Sequence, residues 1–192
     1  CLQTKYAFKK DKPLLDGLVC TSSPLDLEAS SESIERPRNR VYQRWLLKRL
    51  IRQTFDDPFG INDLEREFLS SKSKSNFPKT IRAFDATITA PRWGYKDVDD
   101  YYLKASPLLK LVQNSSWLPP ILFLQSLDDP WVPAGGVQKL AKIMPSLQSS
   151  RLKVILTRNG GHNGFHGIEG CWGDLLVERW LTKLWFDYFQ KV

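Results

Sequence analysis

The segment "PPILFLQSLDD" (residues 119–129) sets the fold class of this chain. Four consecutive apolar residues, Ile121 to Leu124, precede a polar end, which is typical of a buried strand that ends in a turn. The segment "SRLKVILTRNGG" (150–161) has the same form. Between them an apolar repeat with the spacing of one helix face comprises Val137, Leu140, Ala141 and Met144. Strand, helix, strand predicts two neighbouring parallel strands of an α/β fold.

The same pattern extends outward in both directions. The segment "LLDGLVCTSS" (14–23) is a third candidate strand, and "GDLLVERWLTKLWFDYF" (173–189) is a candidate last helix. The stripe of that helix comprises Val177, Trp180, Leu181, Leu184, Trp185 and Tyr188. The chain has 192 residues, of which 42% are hydrophobic, enough to bury a core. We therefore expect one α/β domain over residues 1–192.

The stretch between the first and second predicted strands is far longer than a simple crossover requires. It predicts an insertion over residues 28–118, with helical segments and the aromatic section "APRWGYKDVDDYYLKASPLL" (90–109). Open α/β sheets bind ligands beyond the carboxyl ends of their strands. An insertion above that edge would act as a cap or lid.

The formal net charge of +7 is concentrated in "RPRNRVYQRWLLKRLIRQ" (36–53). Basic residues recur there every four positions, at Arg40, Arg44, Lys48 and Arg52, and an apolar stripe of Tyr42, Trp45, Leu46 and Leu50 runs beside them. This indicates a helix with a solvated basic face over a buried one. No nucleic-acid motif accompanies it, so nucleic acid is not an expected partner. The basic face is compatible with peripheral contact with anionic lipid headgroups.

Cysteine usage and the first residues bear on the compartment. Cys1, Cys20 and Cys171 are odd in number and far apart, and no Cys-x-x-Cys pair suggests zinc or redox chemistry. A reducing compartment, the cytoplasm, is therefore expected. Residues 1–12, "CLQTKYAFKKDK", have no apolar core of signal-peptide type and are typical of the end of an amphipathic helix. We expect the chain to begin inside a longer fold.

Candidate catalytic residues follow the second and third strands. Asp128 and Asp129 end the second, and His162 lies on the loop "LTRNGGHNGFHG" (156–167) after the third. Parallel strands end at the same edge of a sheet, so a carboxylate and an imidazole can meet there. Asp before His is the order of the last two members of a Ser, Asp, His triad. The Asp would accept the Nδ1–H of the imidazole, and Nε2 would take a proton from a serine.

The residues alone leave alternatives open. Either Asp128 or Asp129 could reach from the strand end, Asp-Asp-Pro also forms ordinary turns, and a histidine after two glycines can be structural. Gly160 and Gly161 would let the backbone turn sharply and bring the imidazole close to a nucleophile. His166 is the weaker candidate, because it lies four residues further along the loop.

A family resemblance covers nearly the whole chain. Its segments are "RVYQRWLL" (40–47), "IRAFDATITAPRWGYKDVDDYYLKASPL" (81–108), "ILFLQSLDDPWVP" (121–133) and "LTRNGGHNGF" (156–165). They resemble the C-terminal portion of the YheT-like branch of the α/β-hydrolase superfamily, a group of abhydrolase-type and embryogenesis-associated-like esterases and lipases. The resemblance implies a partial α/β-hydrolase fold with the last three parallel strands, flanking helices and a helical cap-like insertion.

The resemblance also implies roles for single residues. The triad acid falls on Asp129, by its spacing from Val132 and Pro133, and the triad base falls on His162. The family's nucleophile lies in a Gly-x-Ser-x-Gly elbow, a motif that these 192 residues do not contain. The serine and the oxyanion donors are therefore expected upstream of Cys1. The implied activity is hydrolysis of carboxylic esters, with acylglycerol-like or other lipophilic acyl substrates and with neither a metal nor an organic cofactor.

Two other classes of function stay open, a non-catalytic protein and a hydrolase with an Asp nucleophile. The chain could be a catalytically inactive truncated hydrolase module, or a protein that binds through its basic surface. Two triad members without a nucleophile cannot form an acyl-enzyme. The same fold also supports dehalogenases and epoxide hydrolases with an Asp nucleophile, and the upstream elbow residue would discriminate these from a serine hydrolase.

Overall fold

The computed structural model describes residues 15–70, 77–147 and 151–189. The helix end predicted at 1–12 lies outside them. Contacts divide the chain into two compact units. A strand-bearing unit is built from the residues up to Asp26 and from Ser106 onward, and a helical unit comprises Leu27–Ala105.

Three parallel strands form the sheet of the strand-bearing unit. They are β1 (Leu18–Thr21), β2 (Ile121–Ser126) and β3 (Leu152–Thr157), in the order β1-β2-β3. In the register Leu18 lies opposite Ile121, and Ser126 lies opposite Thr157. The α/β class and the three predicted parallel strands are confirmed, each strand being shorter than the segment that predicted it.

Along the chain, the helices lie between the strands, and the last helix follows the last strand. In chain order they are α1 (Leu27–Glu35), α2 (Arg40–Phe55), α3 (Asp63–Ser70), α4 (Ile81–Phe84), α5 (Ala90–Arg92), α6 (Val98–Ala105), α7 (Pro107–Gln113), α8 (Gly135–Ile143) and α9 (Trp172–Phe189). A π-helical turn (Asp85–Thr89) joins α4 to α5, and 3-10 turns lie at Pro37–Asn39 and Met144–Ser146. A two-residue hairpin pairs β4 (His166–Gly167) with β5 (Gly170–Cys171).

The core of the strand-bearing unit lies around β2. All six residues of β2 are buried, because a central parallel strand is covered on both faces. Phe123 packs with Leu140 of α8 and Leu152 of β3. This packing holds the carboxyl ends of β2 and β3 side by side, and the loops that follow them therefore start from fixed positions.

The helical unit has a separate core. Its buried members are Leu47, Leu69, Ile81, Phe84 and Ile88. The unit overlaps the insertion predicted at 28–118, whereas α7 lies in the strand-bearing unit, where Leu111 joins the core. The action of the insertion as a lid stays a prediction.

Two predicted helices have faces that differ from the expected ones. In α2, Trp45 is 51% exposed and Leu47 is buried, so Trp45 does not belong to the buried stripe. The reason is that Trp45 lies nearer to Arg44 and Arg49 than to Leu47 on the helix circumference. In α9, Trp180 and Leu184 approach Gly17, but Leu181 and Trp185 are exposed.

None of the helices in the described ranges combines the length and the apolar character that crossing a membrane requires. The cytoplasmic location expected from the cysteines stays a prediction.

Candidate active site

The carboxyl ends of β2 and β3 bring two predicted residues together. Asp129 follows β2 by three positions, and His162 follows β3 by five. Because the strands are parallel and adjacent, both loops leave the same edge of the sheet. The Nδ1 atom of His162 lies 3.0 Å from Oδ2 of Asp129. This is the contact by which a carboxylate orients a catalytic imidazole.

The loop after β2 is folded around the carboxylate of Asp129. Oδ1 of Asp129 accepts hydrogen bonds from the backbone N–H groups of Trp131 and Val132, at 2.9 Å each. An aspartate that binds backbone amides two and three residues ahead forms a local turn, which is why Asp-Asp-Pro-Trp-Val turns here. The turn leaves Oδ2 directed towards His162.

The environment keeps Asp129 ionised. Burial raises the pKa of this carboxyl, since Asp129 is 7% exposed. The hydrogen bonds from His162, Val132 and Trp131 oppose burial and outweigh it, so the pKa lies below its usual range. A carboxylate in this position stabilises the imidazolium that forms when His162 takes a proton.

Gln125 is a further member of the site that the sequence interpretation missed. Its side chain is completely buried within β2, and Nε2 donates to Oδ2 of Asp129 at 3.2 Å. Nε2 is also 3.2 Å from the carbonyl oxygen of Val132 and 3.3 Å from that of Ser126. The available signal was an amide side chain directly after a strongly apolar run, because buried polar groups need partners.

The loop of His162 turns through residues with positive φ angles. Gly160 has φ +150°, and a Cβ atom there would lie 2.7 Å from the ring of Phe165. Gly161 has φ +52° and Asn163 has φ +62°, both in the left-handed region. The two glycines therefore make different contributions: Gly160 allows a close approach, and Gly161 supplies a left-handed turn.

Three side chains fasten this loop to the strand ends. Ser126 donates through Oγ to the carbonyl oxygen of Gly161 at 2.6 Å, and Oδ1 of Asp128 accepts from the N–H of Gly161 at 2.9 Å. Ser22, the residue after β1, accepts from the N–H of Asn163 at 3.1 Å. Ser22 itself has φ +47°, an uncommon angle for a residue other than glycine. All three bonds fix backbone groups on either side of His162.

The two aspartates that the sequence could not separate differ in position. Asp129 contacts the imidazole, while Asp128 is exposed and contacts the loop backbone. The hydrogen bond from the Gly161 N–H is the main cause that lowers the pKa of Asp128. Asp128 therefore acts on the position of His162 through the loop and does not touch its ring.

One aromatic side chain lies beside the imidazole of His162. The ring of Trp131 lies 4.8 Å from that of His162, centroid to centroid. His166 is exposed and lies in β4, paired with Cys171 of β5, and not in an irregular loop.

Among the residues that the structure describes, no three His, Cys, Asp or Glu side chains are grouped as metal ligands would be.

Comparisons with known proteins agree on one family. The chain is 32% identical over 188 residues to YheT of Escherichia coli (strain K12), a protein named as an esterase, which covers 95% of the chain and 51% of YheT. It is 32% identical over 146 residues to "Phospholipase ABHD3" of Homo sapiens, covering 75% of the chain and 32% of that protein. It is 27% identical over 174 residues to "Monoacylglycerol lipase" of Saccharomyces cerevisiae, covering 85% of the chain and 35% of that protein.

The chain thus spans about half of the length of these relatives, or less. No family model matches the chain, and no solved structure matches it. The parallel sheet of the chain and its similarity to these relatives together indicate its family. The chain belongs to the YheT-like branch of the α/β-hydrolase superfamily, and its three strands are part of that fold.

Proposed function

We propose that the protein is a serine hydrolase of carboxylic esters in which His162 is the general base and then the general acid, and Asp129 orients it. The observation that carries the proposal is the 3.0 Å contact between Nδ1 of His162 and the buried Oδ2 of Asp129. With Nδ1 engaged in this way, Nε2 is the atom that exchanges a proton with the nucleophile.

The nucleophile is proposed to lie before Cys1 in the whole protein. These 192 residues contain no Gly-x-Ser-x-Gly elbow, and the relatives extend well beyond the matched region. In the α/β-hydrolase arrangement, the elbow serine comes before the acid and the base in the chain. The oxyanion donors, a backbone N–H after the serine and one from an earlier loop, belong to the same upstream part.

The reaction then proceeds in two balanced halves. The serine oxygen attacks the ester carbonyl while its proton passes to Nε2 of His162. The tetrahedral intermediate collapses, the C–O bond to the alcohol breaks, and His162 returns the proton to the leaving alkoxide. Water deprotonated by His162 next attacks the acyl-enzyme, releasing the carboxylic acid and regenerating the serine. Asp129 stays ionised throughout and stabilises the imidazolium.

The substrates proposed are lipid or other small-molecule esters with lipophilic acyl groups. Two relatives carry the names of a phospholipase and a monoacylglycerol lipase, both of which are lipid hydrolases. The ring of Trp131 beside His162 would suit an acyl chain better than a charged group.

The test compares two histidines that lie four residues apart, in the whole protein. His162→Ala is expected to lower kcat on a short p-nitrophenyl ester by about a thousandfold or more. His166→Ala, an exposed histidine four residues away, is the matched control and should keep most of the activity. Comparable activity of both variants would exclude His162 as the base.

A second measurement addresses the nucleophile. A fluorophosphonate probe, which esterifies activated serines, should label the whole protein at an elbow serine upstream of Cys1. The 192-residue chain by itself should show neither labelling nor ester turnover, because an acid and a base without a nucleophile form no acyl-enzyme. Labelling of a serine within the 192 residues would contradict the placement of the nucleophile.

A further inference from the structure

The outer face of α2 is both cationic and apolar. Eight exposed side chains recur at the spacing of one helix face: Arg40, Val41, Arg44, Trp45, Lys48, Arg49, Arg52 and Phe55. At about 100° per residue they cover roughly half of the helix circumference. The opposite side, with Gln43, Leu47 and Thr54, is buried in the helical unit. We call the exposed side the α2 outer face.

The positive charge of this face is largely unopposed. Five of its residues are Arg or Lys, and α2 contains no Asp or Glu. Within the described ranges, only Arg52 of these five lies in a salt bridge, an exposed pair with Asp56 at 3.4 Å. Cations without partners are rarely buried inside proteins. The counterpart of the α2 outer face is therefore water or an anionic surface.

The apolar side chains decide between anionic partners. Val41 is 80% exposed, Trp45 and Phe55 are also exposed, and the guanidinium of Arg49 lies 5.1 Å from the centre of the Trp45 ring. Nucleic acid would engage the basic groups through phosphate but would leave an exposed valine unburied. The headgroup region of a bilayer accepts basic residues together with Trp, Phe and aliphatic side chains.

We propose that the α2 outer face docks the protein on anionic lipid bilayers. Arg40, Arg44 and Lys48 contact anionic headgroups, while Val41 and Trp45 enter the boundary between headgroups and acyl chains. The helix lies along the surface and does not cross it. This inference concerns binding and is independent of the proposed ester hydrolysis.

The test is sedimentation of the whole protein with vesicles, in the His162→Ala background so that hydrolysis cannot alter the lipid. Vesicles with about a third phosphatidylserine are expected to bind at least tenfold more tightly than pure phosphatidylcholine vesicles. Raising the salt to about 0.5 M should remove most of this difference, because exposed charges are screened. Trp45→Ala should weaken binding at both salt concentrations.

A pair of charge-reversal variants locates the surface. Arg44→Glu with Lys48→Glu should weaken vesicle binding by about twentyfold or more, since each basic residue near an anionic surface contributes roughly a factor of five. Lys139→Glu with Lys142→Glu changes exposed positions of α8 by the same charge and should have an effect of less than about threefold. Circular dichroism would check that each variant is folded.

Three outcomes would overturn the proposal. They are equal binding to vesicles with and without phosphatidylserine, equal losses in the two charge-reversal variants, and tighter binding to single- or double-stranded nucleic acid than to anionic vesicles. Loss of ester hydrolysis in His162→Ala bears only on the proposed function, so the two proposals can fail separately.

Discussion

At the scale of single residues, Asp128 and Asp129 give a matched pair. Asp129→Asn would keep an oxygen for the Trp131 and Val132 amides but would put an NH₂ group opposite His162 and Nε2 of Gln125. The NH₂ group would face the Gln125 donor, and it would favour the imidazole tautomer with the proton on Nε2, which cannot accept the proton of a serine. We expect kcat of the whole protein on p-nitrophenyl esters to fall by about 10³ to 10⁴.

Asp128→Asn is the control for that measurement. An Asn oxygen at this position can still accept from the Gly161 N–H, so the loop keeps its bond. We expect a loss of tenfold or less in kcat. A loss in Asp128→Asn equal to that in Asp129→Asn would contradict the separation of their contributions.

The pairing of Asp129 with His162 could be predicted because it depends only on two strands ending at one edge. The choice between Asp128 and Asp129 could not be made from residue types, since both are carboxylates at a strand end. The contributions of Gln125 and Ser22 were hidden for another reason. Ser22 bonds to Asn163, which becomes its neighbour only when β1, β2 and β3 are placed side by side. Gln125 bonds to Asp129 of its own segment, and this contact depends on the turn after β2, which brings the carboxylate back to the end of the strand.

At the scale of elements, the base-bearing loop predicts unequal effects for its two glycines. Gly160→Ala places a Cβ atom 2.7 Å from the Phe165 ring at φ +150°, so ring or backbone must move. We expect a loss of about 3 kcal/mol in the free energy of unfolding, from urea denaturation. Gly161→Ala meets nothing within 4 Å and should cost about 1 kcal/mol, the strain of a left-handed alanine. A reversed order would refute this account of the turn.

An ion pair in the helical unit predicts a pH dependence. Arg92 donates to both oxygens of the buried Glu65, at 2.8 and 2.7 Å. The hydrogen bonds from Arg92 are the main cause that lowers the pKa of Glu65, against the effect of burial. A carboxyl with a lowered pKa in the fold stabilises it above the unfolded pKa, near 4.3, and this stabilisation is lost as the pH falls through the folded pKa.

Arg92→Met is therefore expected to lower the free energy of unfolding by about 2 kcal/mol at pH 7, and by progressively less below about pH 4. Urea denaturation at several pH values measures both effects. Arg52→Met is the control, because its pair with Asp56 is exposed on both sides and contributes about 0.5 kcal/mol or less. If the difference in the free energy of unfolding between Arg92→Met and the wild type did not change with pH, the contribution of Glu65 would be disproved.

The elements themselves were partly predictable. The three strands and α8 follow from apolar runs and from a helical repeat, because these patterns are set by burial on known faces. The face of α2 was misjudged at Trp45, because a large apolar residue between arginines can lie on the solvent side and be covered by them. The π-helical turn Asp85–Thr89 has no periodic signal in its five residues.

At the scale of the whole molecule, two cores with no shared buried residue predict two separable stabilities. Ile88 is buried in the helical unit, and Leu140 is buried in the strand-bearing unit. Ile88→Ala and Leu140→Ala should each cost about 2 to 5 kcal/mol locally, through lost contacts and a cavity. In hydrogen exchange, Ile88→Ala should reduce the protection of amides in Leu27–Ala105, and Leu140→Ala that of amides in β2, β3 and α8.

The two variants distinguish joint opening of the two units from independent opening. If both units open only together, either substitution lowers protection throughout the chain by the same free energy, and the separation of the cores has no energetic meaning. If they open independently, each variant leaves the most protected amides of the other unit within about 0.5 kcal/mol of wild type. We expect the second result, because the residues packed around Ile88 all belong to the helical unit and those packed around Leu140 all belong to the strand-bearing unit.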